Sequence, residues 1–111
     1  MDAKKGILCE VIADKYGYEA QSRQTIEEMA ELTQAINKLW RKELDLGQLA
    51  MEPTAELAAS ENYLHIAEEI ADVEICLSQL KYLLDCGMLV DHFKQEKIDR
   101  QIKRMEGKKW M

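Results

Sequence analysis

The sequence predicts an all-α fold, a four-helix bundle that works as an oligomer, and three observations carry that reading. The chain has a single proline, Pro53, and almost no alternation of β-branched with polar residues, so strands find no support. Long stretches place apolar residues in steps of three and four, the bundle pattern. One predicted helix is apolar on two faces, which suits either the centre of a core or a subunit interface. At 111 residues the chain is read as one domain, 1–111, with room for a single core.

The elements follow in order. Ile7, Leu8, Val11 and Ile12 stand at helical spacing and predict a first helix over about Ala3–Lys15, ending near Gly17. Ile26, Met29, Thr33, Ile36 and Trp40 predict a second helix over about Glu19–Leu44. The stretch from about Asp45 to Ser60 holds Gly47 and Pro53 and reads as the main connection, long enough to suggest a functional segment. A third helix is predicted from an N-cap at Ser60 to about Cys86, with Gly87 as its stop. Its second apolar stripe is Leu64, Ala71, Ile75 and Tyr82, and four helices of this size make a thin bundle, which favours a homo-oligomer. A fourth helix, about Val90–Glu106, carries Phe93, Ile98, Ile102 and Met105 on one side and Lys94, Lys97, Arg100, Lys103 and Arg104 on others; the tail Gly107–Met111 is expected to fray.

Bulk composition bounds the function. The chain is 47% hydrophobic and 32% charged, which marks a soluble globular protein rather than a disordered one. A net charge of −6 argues against a nucleic-acid partner. Three cysteines, Cys9, Cys76 and Cys86, form no CxxC pair and read as free thiols of a reducing compartment. No secretory leader or bilayer-spanning run is apparent, so a cytoplasmic location without a membrane partner is expected.

Two acidic clusters, Glu27-Glu28-Met29-Ala30-Glu31 and Glu68-Glu69-Ile70-Ala71-Asp72, are near copies of one another. Residues three apart share a helix face, so Glu28 pairs with Glu31 and Glu69 with Asp72. At about 100° per residue, Leu32, Ala35 and Leu39 all fall within roughly 40° of Glu28, and Val73, Cys76 and Leu80 within roughly 40° of Glu69. Glu31 and Asp72 each sit at the border of the same arc, roughly 60° round. Glu27 and Glu68 turn away, toward solvent.

An ionised carboxylate on an apolar face costs several kcal/mol, on the order of a lost buried ion pair, unless it is paired or bound to metal. Two readings follow: a hard cation between the four acids, or a buried salt bridge with Lys38 or an arginine of the last helix. All-oxygen donors suit Mg²⁺, with Mn²⁺ as the alternative, rather than zinc. A di-iron bundle requires Glu-x-x-His pairs, and neither His65 nor His92 stands three after a glutamate. Lys97, Arg100 and Arg104 share a face at i, i+3 and i+7, either solvated beside Glu96 and Asp99 or reaching a phosphate chain. With Lys38 they make up the candidate phosphate-binding set.

The ordered pair of segments Ile26-Glu27-Glu28-Met29-Ala30-Glu31-Leu32 and Glu68-Glu69-Ile70-Ala71-Asp72-Val73 resembles the EExxE…ExxD signature of the MazG-like nucleoside triphosphate pyrophosphohydrolases. The similarity runs from about Gln24 to Leu84 and loosely through the last helix; the stretch between the motifs is longer than in the most compact members. The resemblance implies a four-helix fold acting as a homodimer or homotetramer. It implies Mg²⁺-dependent cleavage of a (deoxy)nucleoside triphosphate to the monophosphate and pyrophosphate, a house-cleaning role in the nucleotide pool. By matching position it implies Glu28, Glu31, Glu69 and Asp72 as metal ligands and late basic residues, Lys97 and Arg100 with Arg104 behind them, as phosphate contacts. Glu27 or Glu68, beside the ligands, would orient the attacking water as the catalytic carboxylate. The competing expectation is a non-catalytic helical interaction module that keeps the bundle, and a third is the same cage acting on another phosphorylated metabolite.

Overall fold

The structure, a computed structural model, describes residues 1–42 and 60–110, the last three of them as backbone only. Among these residues there are three helices and no strand: α1, Ala3–Lys42; α2, Glu61–Leu84; and α3, Gly87–Trp110. The expected connection at 45–60 falls, apart from Ser60, outside the described residues, as do the last two residues of the second predicted helix.

The two helices expected on either side of Gly17 form one element bent at that residue. Asp2 starts it, its Oδ1 accepting the Lys5 N–H at 2.8 Å. Gly17 takes φ 81 and ψ 171, a conformation open almost only to glycine, so the chain kinks there and resumes helix without a loop. Arg41 and Lys42 then close α1 on its negative dipole end.

Ser60 caps α2 as its sequence position suggests, its Oγ accepting the Tyr63 N–H at 3.1 Å. The far end differs from expectation. Asp85, not Gly87, adopts the left-handed conformation (φ 52, ψ 46), with Cys86 N–H donating to Lys81 O at 3.0 Å and Asp85 N–H to Tyr82 O at 3.1 Å. This is the Schellman pattern with aspartate in the glycine position, which a short polar side chain tolerates. Gly87 is therefore free to open α3, three residues earlier than expected, and α3 continues past Glu106 to Trp110.

α1 and α2 pack as an antiparallel pair, and α3 meets α2 marginally and α1 not at all. The expected four-helix bundle is not seen among the described residues: a packed pair of helices, the first of them bent, carries a third as an arm. The pair's buried apolar residues are small, Ala13, Ala35, Val73 and Cys76, and no large side chain is fully buried. The α1 stripe read as the bundle pattern points outward, and so does the second α2 stripe, read as core or subunit interface. Ile26, Met29, Ile36 and Trp40 on α1 and Leu64, Ile75 and Tyr82 on α2 are exposed, because α1 turns the Glu28–Ala35 arc toward α2. Along α3 every residue from 91 to 107 is exposed, Phe93, Ile98, Ile102 and Met105 among them.

The chain exposes 9155 Å², where a compact monomer of its mass exposes about 6,300 Å². Its radius of gyration is 17.7 Å, against about 13 Å for a compact domain of this length. Charge is divided as unevenly as contact: α3 has seven Lys or Arg against four Asp or Glu, net +3, which leaves −9 on the residues before it. No helix of the described residues is long and apolar enough to cross a membrane.

Candidate carboxylate site

The antiparallel packing of α1 on α2 brings the two acidic clusters together. Glu28, Glu69 and Asp72 each offer an oxygen within 4.8 Å of the others'. Ligand oxygens across an octahedral Mg²⁺ are at most about 4.2 Å apart, a spacing of the same order. Glu69 is the buried member, Glu28 is half-buried and Asp72 is exposed. Glu31 lies outside the tight group but close enough for its charge to act on Glu28.

Partners are few for acids so placed. Gln24 donates to Glu28 Oε1 at 2.8 Å, and His65 Nε2 stands 3.9 Å from Glu69 Oε1, a loose contact. Glu28 Oε2 and Glu69 Oε2 are buried with no hydrogen-bond partner, and a buried orphan oxygen calls for a physical reason. The Glu28 carboxyl is held above the usual carboxylate range, chiefly by burial, then by the charges of Glu31, Asp72 and Glu69, with Gln24 working against them. Burial also raises the Cys76 thiol, opposed by a hydrogen bond with Thr25 and helped by Glu28 and Asp72.

A cleft of about 380 Å³ opens beside the cluster, lined by Glu31, Gln34, Ala35, Lys38, His65 and Glu69. Lys38 therefore shares a cavity with two of the expected ligands. Glu27 and Glu68 are exposed and outside the tight group. Lys97, Arg100 and Arg104 lie on α3, which makes no contact with α1, so one chain does not bring them to the carboxylates. Of the aromatic residues read as core or interface, Tyr82 lines a separate cleft of about 770 Å³ with Glu10, Asp14, Gln79 and Met88, and its hydroxyl donates to Asp14 Oδ2 at 2.7 Å.

The sequence reading passed over four polar residues that structure this region: Gln24 on Glu28, and the buried Gln21, Thr25 and Gln79. Gln21 Nε2 donates to Gln79 Oε1 at 2.7 Å, and Thr25 Oγ1 to Gln21 O at 2.7 Å. Their signal was present, since Gln21 precedes Glu28 by seven residues and Gln79 follows Asp72 by seven, which puts each on its partner's face. Comparison with protein-family models, curated proteins and solved structures finds no match for this chain.

Proposed function

We propose that the protein is a MazG-like pyrophosphohydrolase, hydrolysing a (deoxy)nucleoside triphosphate to the monophosphate and pyrophosphate in the cytoplasm as part of nucleotide-pool sanitation. One observation carries the reading: three carboxylates from two helices converge within 4.8 Å while two of their oxygens are buried without partners. Neither Lys38 nor any arginine forms an ion pair with them among the described residues, which removes the support for the salt-bridge reading. Glu28, Glu69 and Asp72, with Glu31 beside them, are the residues that would hold Mg²⁺, or Mn²⁺ in its place. When bound, the ion supplies positive charge for the phosphate chain and the departing pyrophosphate.

The remaining work falls to the chain itself. Lys38 lines the same cleft as Glu31 and Glu69, which supports a role in taking a phosphate oxygen. Glu27 or Glu68, exposed beside the ligands, orients water toward the α-phosphorus. Assembly as a homodimer or homotetramer is part of the proposal, supported by the outward apolar stripes of the described helices.

The test is a panel of nucleoside triphosphates with Mg²⁺, read by pyrophosphate release. At least one is expected to be cleaved, and Glu69→Ala is expected to abolish cleavage while the protein stays helical. No release across the panel, from folded protein with metal present, would sink the proposal. The uncovered apolar faces and unpartnered α3 favour one competitor, a non-catalytic helical interaction module. That competitor requires a melting temperature indifferent to Mg²⁺ and no turnover.

A further inference from the structure

The carboxylates meet only if α1 and α2 pack in one register, and the apolar contacts between them are poor at choosing it. The fully withdrawn apolar side chains are Ala13, Ala35, Val73 and Cys76, while the larger Leu32, Leu39, Ile66 and Leu80 are only half-buried. The acids themselves oppose the native register, because it gathers Glu28, Glu31, Glu69 and Asp72 into mutual repulsion. Something else must hold it. The layers of the pair step by one heptad: Gln21 meets Gln79, Glu28 meets Asp72, and Ala35 shares a cleft with His65.

We propose that the buried Gln21–Gln79 pair is a positioning device that sets the α1/α2 register and thereby brings Glu28 opposite Glu69 and Asp72. Both amides are at least nine-tenths buried and bond at 2.7 Å, and Gln79 Nε2 donates onward to Cys9 O at 3.3 Å. A slip of one heptad sets Gln21 against Asp72 or against the turn after α2, and the amide pair is lost. A buried polar pair is the best-attested way for helices to fix register; Tyr82–Asp14 and Thr25–Cys76 also join α1 to α2, and Gln21–Gln79 lies between them. Here it acts seven residues from Glu28 on α1 and from Asp72 on α2, with Thr25 and Cys76 buried in the layer between. Neither glutamine touches the acids; they act through the helices that carry them.

The test uses the full chain with spin labels on non-cysteine positions, Arg23 of α1 and Glu74 of α2, both exposed. Gln→Met keeps length and volume while removing the hydrogen bonds, so Gln21→Met/Gln79→Met isolates the pairing. The wild type should give one narrow interlabel distance. The double variant should stay helical yet give a broadened or shifted distance, since a slip of one heptad moves one helix past the other by about 10 Å. Its affinity for Mn²⁺ alone should fall at least about tenfold, the scale of losses from outer-shell changes. The metal readout rests on the proposed function, and the distance readout does not. Absence of Mn²⁺ binding to the wild type would therefore count against the pyrophosphohydrolase alone. A wild-type distance in the double variant would overturn the positioning role. If the double variant loses its helices, Gln79→Glu, which keeps an acceptor for Gln21 Nε2, decides: it should retain the wild-type distance, and a shifted one overturns the proposal.

Discussion

At the scale of single residues, the site is governed by one carboxyl that resists ionisation. Burial and three neighbouring acids raise the folded-state pKa of Glu28 above its unfolded value. A group so shifted stabilises the fold while protonated and ceases to do so as pH rises through its folded pKa. Metal-free protein should therefore melt higher as the pH falls through the raised Glu28 pKa toward the ordinary carboxylate range, and Glu28→Gln should flatten that dependence in calorimetry. The same variant should melt higher than wild type at pH 7 without metal and lose any gain in melting temperature on adding Mg²⁺. This much was legible in the sequence, because a helix wheel needs only spacing: Glu28 and Glu69 fell on apolar arcs, and both are withdrawn from solvent. The buried glutamines were not read, although the same wheel carries them. Uncharged amides raise no electrostatic alarm, and only a partner on the opposite helix shows that they are paired.

At the scale of elements, two backbone positions decide how the helices run. Gly17 holds a conformation that other residues reach only with strain, while a methyl group there would meet no atom within 4 Å. The penalty for Gly17→Ala is then purely torsional, and it should lower stability by about 1–3 kcal/mol in urea melts. Ser60→Ala should cost about 1 kcal/mol through the lost cap on α2. Helix existence was legible from apolar spacing, and so was the Ser60 cap. The joints were harder. A glycine after a helical stretch signals an end, but whether the chain kinks and continues or breaks into a loop depends on tertiary packing. Likewise Gly87 is the usual left-handed residue, yet Asp85 takes that position, and its turn satisfies the carbonyls of Lys81 and Tyr82.

At the scale of the whole molecule, the sequence announced apolar faces without saying which chain would cover them. Periodicity records that a stripe is buried somewhere, and an intramolecular core and a subunit interface leave the same pattern. That is why the described residues of one chain show a helical pair with an exposed arm rather than a closed bundle. Ile75→Glu, on the outward stripe of α2, should shift the sedimenting species toward a single 12.8 kDa chain. Wild-type melting should rise with protein concentration, as it does when folding and association are linked. The division of charge between α3 and the rest of the chain, +3 against −9, has a kinetic corollary. Each chain is an electric dipole, and two dipoles can turn each other before they touch. Encounter between chains should be fast in dilute buffer and slow steeply as salt shortens the reach of the field to about 8 Å near physiological ionic strength. Stopped-flow mixing of labelled chains across a salt series would show whether the arm steers its own docking.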